Sequence, residues 1–224
     1  MTIPLIVLTN GRRDCISQTI PSIRKHLTGY GDTVIVDDSG DPYYRAWLAA
    51  EFPDALVTAV SGEPAGYWRA MRTVWQIARG SGAGAAWMHE DDFVMTADVD
   101  VTCLARVLDE QPHLTQIALK RQPWFTNEIG EGGLIEALEA QGQVFTERTD
   151  GRHHWIEHRA CFTGNPSLIP ARTYTRRWPE GAWSESRFGA QLFAVPDARG
   201  AYWGRRSDPP RVEHIGHERV GTEY

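Results

Sequence analysis

Two hydrophobic periods alternate along the first half of the chain. Short apolar runs, "IPLIVLTN" (residues 3–10), "TVIVDDS" (33–39), "ALVTAV" (55–60) and "AAWMHED" (85–91), have the length and flanking turn residues of buried strands. Between them, "CISQTIPSIRKHL", "PYYRAWLAAEF" and "GYWRAMRTVWQIARG" place apolar residues at helical spacing, the second opened by a proline and the third closed by glycines. Strands alternating with helices predict an α/β fold, a mainly parallel sheet flanked by helices. The second half is less regular and predicts a smaller mixed subregion: a helix over "VDVTCLARVLDEQ", a strand at "LTQIALK", a hairpin turning at Asp150 and Gly151, and a helix through "WSESRFGAQLFAV". Residues 206–224 have the Pro and Gly content of a mobile tail, so one domain is expected, divided as 1–98, 99–205 and 206–224.

Composition narrows the class. A chain of 224 residues that is 42% hydrophobic and 23% charged is an ordinary globular mix, and its longest apolar runs are too short to span a bilayer. The first residues carry no basic region ahead of their apolar run, so they read as a strand and not a signal peptide, and a cytoplasmic location is expected. Cys15, Cys103 and Cys161 are odd in number and widely spaced, which argues against a disulfide framework or a cysteine zinc site. A net charge of -6 argues against a sequence-blind DNA binder. Residues 152–211 nevertheless hold ten Arg, no Lys and five acids. That asymmetry fits an anionic partner, and it equally fits the Arg preference of the whole chain, which has 21 Arg and two Lys.

The chemistry concentrates in "HEDD", where Glu90, Asp91 and Asp92 follow an apolar strand. In an open α/β sheet the carboxyl ends of strands are where ligands bind. Three adjacent carboxylates repel one another there, and a hard divalent cation converts the repulsion into attraction. Mn²⁺ or Mg²⁺ takes one or two protein carboxylates and completes its shell with water and phosphate oxygens, so the cluster points to phosphate chemistry. A solvated acidic turn is the simpler alternative.

The order of the segments "VLTNGRRDCISQTIPSI", "VIVDDSGD" and "GYWRAMRTVWQIARGSGAGAAWMHEDDF" resembles the nucleotide-binding half of a GT-A fold glycosyltransferase, similar to the small phage and bacterial members of family 2. The resemblance implies a nucleoside-diphosphate sugar as donor. It sets Thr9, Asn10 and Arg12 along the nucleotide, with Asp37 or Asp38 reaching base or ribose, whose N–H and hydroxyl groups are donors. Where the family carries an Arg-Asn pair this chain has Met71 and Arg72, leaving Arg69 and Arg72, one helical turn apart, as phosphate candidates. His89 stands where the family's first acid falls if the central acids are Asp91 and Asp92; Glu90 and Asp92 are the alternative pair. Asp92 is expected to ligate the metal, Glu90 or Asp91 to hold ribose or metal-bound water, and His214 or His217 to supply a further ligand, with His214 preferred.

For inverting transfer one carboxylate must deprotonate the acceptor hydroxyl, and the resemblance places that base at Glu185. A charge at a helix N-terminus is its plain alternative role. Asn165 in "CFTGNP" and Lys120, Arg121 and Trp124 in "LKRQPW" are expected to line the donor sugar or acceptor. Of nine Trp, Trp75 and Trp87 lie in periodic core segments, whereas Trp124, Trp183 and Trp203 do not and are acceptor-site candidates. The acceptor itself is open among a modified nucleic acid base, a protein and a glycan. Nucleotidyl transfer to a sugar phosphate and non-catalytic carbohydrate binding are the competing functions, the first of which normally carries a glycine-rich loop that "TNGRRD" matches poorly.

Overall fold

A computed structural model of the protein describes residues 2–60 and 66–216. Its first half runs β1 (Ile3–Thr9), α1 (Arg13–His26), β2 (Leu27–Thr28), β3 (Tyr30–Asp37), α2 (Pro42–Glu51), β4 (Leu56–Ala59), α3 (Tyr67–Gly80) and β5 (Ala85–Glu90). The chain continues through β6 (Phe93–Met95), β7 (Val99–Asp100), α4 (Val101–Glu110), β8 (Leu114–Ala118), α5 (Thr126–Glu131), α6 (Leu134–Ala140), β9 (Phe145–Thr149) and β10 (His154–His158). It closes with β11 (Ser167–Pro170), α7 (Ala171–Tyr174), α8 (Ser184–Phe193), β12 (Arg199–Trp203) and β13 (Val212–His214).

Nine strands form one sheet in the order β4-β3-β1-β5-β11-β8-β12-β10-β9. The pairs β4-β3, β3-β1 and β1-β5 are parallel, as the alternating pattern predicts. Beyond β5 the sheet turns mixed, because β11 enters antiparallel between β5 and β8. Register then decides what meets at the strand tips: Leu8 is opposite Glu90 and Thr9 opposite Asp37, so three loops open at one edge.

Both faces of the parallel half are buried, which is why its strands read as continuous apolar runs. Leu5, Val7, Ile35 and Trp87 point to one face, covered by Ile16, Ile20 and Ile23 of α1 and Leu104, Val107 and Leu108 of α4. Ile6, Leu8, Val36 and Met88 point to the other, covered by Met71, Val74 and Trp75 of α3 and Phe188 and Leu192 of α8. There Trp75, Phe162, Trp178 and Phe188 pack as an aromatic cluster, with Trp75 and Trp178 ring centroids 4.9 Å apart. Trp203, an acceptor-site candidate by sequence, is a buried strand residue stacked near His153, because the alternation of β12 turns its ring inward. Within the expected tail, β13 pairs antiparallel with β6, a long-range pairing that the Pro-rich sequence around it does not announce. Among the described residues no helix is long and apolar enough to cross a membrane.

Several arginines of the second half bind backbone carbonyls. Arg172 donates to the carbonyls of Leu108 and Gln111 at the end of α4 and of Leu114 at the start of β8. Arg159 donates to those of Phe193 and Pro196 at the end of α8, where the last carbonyls of a helix lack partners and carry partial negative charge.

His158 is buried between the rings of Phe145 and Tyr202, and its Nδ1 has no hydrogen-bond partner. Burial depresses it from 6.5 to about 4. A base with a depressed folded-state pKa takes up its proton first in the unfolded chain, so its contribution is complete above about 6.5 and is lost as pH falls toward 4. His158→Phe keeps the stack and should remove up to about 3 kcal/mol of this acid sensitivity. Melting temperature against pH checks this: the variant should fall less steeply than the wild type between pH 6.5 and 4, and an identical slope contradicts it.

Candidate active site

The sheet edge carrying the acids opens into a cavity of about 370 Å³ lined by, among others, Arg12, Tyr67, Glu90, Asp92, Asn165, Glu185 and His214. The three adjacent acids of β5 and its following turn have separate environments. Strand alternation and the turn send them in different directions, and each has its own means of being tolerated.

Asp91 is fully buried and does not line the cavity. Its carboxylate accepts from Thr9 Oγ1 at 2.6 Å and is ion-paired with Arg12, while its backbone N–H continues the sheet to the Leu8 carbonyl. Burial lifts its carboxyl to about 6, and Arg12 and Thr9 act to lower it. Thr9 is equally buried, its hydroxyl shared between Asp91 and Tyr44. The expectation that Thr9 and Asp91 contact a nucleotide therefore gives way to a structural role, fixing the loop after β1 to the tip of β5.

Asp92 lies on the cavity wall, with Arg12 Nη1 at 2.8 Å and His214 Nε2 at 3.3 Å from its Oδ2. Burial pushes its carboxyl upward, but the His214 hydrogen bond and the Arg12 charge outweigh that and hold it below the usual carboxylate range. Arg12 thus bridges Asp91 and Asp92. Burial works against its guanidinium, yet the two carboxylates keep it charged, above its ordinary range.

His214 is placed by β13 and clasped through its backbone by Gln122, whose side chain meets both its N–H and its carbonyl. Its ring packs against Trp124 and Phe93, with centroids 4.1 and 4.8 Å away. The alternative, His217, lies outside the described residues. His89, next to the acids, is wholly buried and spans the turn to β6, with Nε2 2.8 Å from the Phe93 carbonyl; burial lowers it to about 4, so it is a neutral pin.

Glu90 and Glu185 meet at a single hydroxyl. Tyr67 Oη lies 3.0 Å from Glu90 Oε1 and 2.9 Å from Glu185 Oε2. Desolvation, then the charges of Asp92 and Glu185, hold Glu90 well above the usual carboxylate range. Glu185 sits in the first turn of α8, entered through Trp183 at φ 58°, a left-handed conformation that a bulky side chain rarely adopts. That turn leaves the Trp183 indole 69% exposed at the cavity mouth. Tyr67 was not singled out by sequence reasoning. Its one signal was its place as the first apolar residue of the helical pattern in "GYWRAMRTVW".

The remaining candidates divide. Asn165 is buried in the cavity wall, its Nδ2 donating to the Leu119 carbonyl at 3.2 Å, and Trp124 lines the same wall. Arg121 also lines it, but its guanidinium is committed to Glu128 in a bidentate pair at 2.6 and 2.8 Å. Lys120 is outside the lining and donates to the carbonyls of Arg205, Arg206 and Asp208. Asp37 is buried, accepting from the Ser39 backbone and from Arg45, so it caps a turn instead of reaching outward. Asp38 and Asn10 stand at the same strand tips, half-buried and outside the cavity lining. Arg69 and Arg72 both lie over the Trp68 ring, at 4.7 and 5.0 Å, and Arg72 also binds the Trp178 carbonyl and Glu180. Neither lines the cavity, because the buried stripe of α3 faces the sheet and turns these two positions away from it.

Among the described residues no three His, Cys, Asp or Glu side chains converge as a metal site. Two donors do fit a cation that takes the rest of its shell from phosphate. Asp92 Oδ1 and His214 Nδ1 are buried without hydrogen-bond partners. Two ligands on adjacent positions of a cation with bonds of about 2.1 Å lie about 3 Å apart; the other two atoms, Asp92 Oδ2 and His214 Nε2, are 3.3 Å apart and pair directly here, so a cation held by them would replace that contact.

Solved structures of TarS from S. aureus share this fold. TarS 1-349 in complex with UDP-GlcNAc matches 100% of this chain with a TM-score of 0.60 at 16% identity, and TarS 1-349 in complex with UDP matches 95% with 0.59 at 15%. The chain spans 60% of the length of TarS 1-349 and 37% of a longer TarS chain. No protein-family model and no curated protein matches the sequence. At these identities the likeness is one of fold: an α/β protein with a large central sheet flanked by helices.

Removing the guanidinium tests the neutralisation of the acids. Arg12→Met leaves Asp91 buried without its counter-charge and should cost about 3 to 5 kcal/mol. Adding Asp91→Asn should recover part of the loss in urea unfolding, and an unchanged unfolding midpoint in Arg12→Met would falsify the assignment.

Proposed function

We propose that this protein is a metal-dependent glycosyltransferase that moves a sugar from a nucleoside-diphosphate sugar to an acceptor hydroxyl with inversion. The observation that carries the reading is a cavity at the strand tips that Asp92, His214 and Glu185, at the start of α8, line together. Support comes from the fold shared over the whole chain with TarS, which binds UDP-GlcNAc and UDP.

Asp92 and His214 would hold Mn²⁺ or Mg²⁺, which when bound supplies positive charge for the departing diphosphate. Arg12, beside Asp92, adds a fixed positive charge on the same side. Glu185 accepts the acceptor's hydroxyl proton as that oxygen forms its bond to the anomeric carbon. The bond from the anomeric carbon to the phosphate oxygen breaks, and its electron pair leaves with the nucleoside diphosphate. The Trp183 face and Trp124 offer stacking surface for a sugar ring, and Asn165 a polar contact in the same cavity.

The test is a thermal-shift panel of nucleotide sugars with and without Mn²⁺, followed by nucleotide release. A bound donor raises the melting point by mass action, and the rise should need the metal. Glu185→Gln should lower turnover by about a hundredfold or more while donor binding stays. Asp92→Asn should abolish the metal-dependent shift. Binding that survives with no turnover in the wild type would identify a carbohydrate-binding protein instead.

A further inference from the structure

Three oxygen atoms from distant parts of the chain converge on one backbone position. A Cβ built on Gly164 would lie 2.5 Å from Glu90 Oε1, 3.1 Å from Tyr67 Oη and 3.2 Å from Glu185 Oε2. No side chain fits beneath these groups unless they move, so the Gly164 backbone is the floor on which they meet. Tyr67 reaches this point because of where its helix begins. It is the first residue of α3, on the same stripe as the buried Ala70, Met71, Val74 and Ala78. Helical side chains lean toward the N-terminus, which carries the Tyr67 hydroxyl past the helix end to the strand tips. Its ring is held edge-on against Trp178, with centroids 6.2 Å apart, in the same aromatic cluster that supports α8 through Phe188.

A hydroxyl has one hydrogen and two lone pairs, so it donates to one of the two carboxyl groups and can bond the other only by accepting from that group's own protonated O–H. We propose that Tyr67 is a positioning residue for glycosyl transfer: its hydroxyl fixes the Glu185 carboxylate against the tip of β5, and Gly164 is kept free of a side chain so that it can. Losing that bond removes one of the contacts that hold the glutamate of the first turn of α8 in its rotamer. The consequence for reaction is one of orientation, since a base misplaced by about an ångström loses most of its effect. Tyr67 therefore couples the donor side of the cavity, at Glu90, to the acceptor side, at Glu185.

This inference rests on Glu185 as the base, and the experiment keeps the two apart. Crystal structures of the ligand-free wild type and Tyr67→Phe come first, because phenylalanine retains the packing on Trp178. The Glu185 carboxylate should leave its wild-type position in Tyr67→Phe; an unmoved, equally ordered carboxylate overturns the proposal whatever reaction the protein performs. UDP release from UDP-GlcNAc with MnCl₂ comes second. Loss of one hydrogen bond to a charged group should lower kcat by about tenfold or more, with the donor KM within about twofold. Gly164→Ala, which removes no hydrogen-bonding group but forces a methyl among them, should lower kcat in the same way. A raised KM at unchanged kcat in Tyr67→Phe overturns the proposal, since it marks a donor-binding role. A wild type that neither binds nor turns over any nucleotide sugar of the panel counts against the transferase reading, and the crystal comparison then decides the role of Tyr67.

Discussion

Arg12 between Asp91 and Asp92 is the interaction on which the rest of the site depends. Three consecutive carboxylates at a strand tip repel one another, and two of them are buried. An ion pair from the neighbouring β1–α1 loop offsets that repulsion before any ligand arrives. Because Asp91 is also held by Thr9, the pair fixes the tips of β1 and β5 relative to each other. Asp92 is thereby left facing the cavity beside His214, in a setting that keeps it ionised. The acids thus divide the work: Asp91 holds the fold, Asp92 faces the cavity, and Glu90 joins Tyr67 and Glu185.

Most of the architecture was legible in the sequence, for a physical reason. Strands buried on both faces and helices with one apolar stripe write distinct periods, and the parallel half follows them closely, from β1 through β5. The mixed half does so less. The short strand β11 slips between β5 and β8, and no local pattern announces which neighbours it will take. The helices α5 and α6 are short and lie in a Gly-rich stretch, and β13 is only three residues long and stabilised by its pairing with β6 and by the Gln122 side chain.

The site was legible as a cluster, less so residue by residue. That Glu90, Asp92, His214, Asn165, Trp124, Trp183 and Glu185 border one cavity could be anticipated from a motif order that brings them to one edge. Which of three adjacent acids turns inward could not, since it depends on Thr9 and Arg12 across the β1–α1 loop. Arg69 and Arg72 show the converse. Two arginines on a helix look like a phosphate site, but the stripe that α3 buries decides their direction, and it turns them onto Trp68. Tyr67 escaped notice because an aromatic at the start of an apolar stripe reads as core, and its hydroxyl acquires meaning only when two carboxyls arrive from elsewhere.

The proposed chemistry places metal and diphosphate at Asp92 and His214, with the sugar between them and Glu185. Anomalous diffraction from crystals grown with MnCl₂ and UDP tests this most directly. The account predicts a manganese peak in contact with both Asp92 and His214 and diphosphate oxygens completing its shell. Manganese bound elsewhere, or UDP lying away from the cavity with Asp92 still held only by Arg12 and His214, would contradict it.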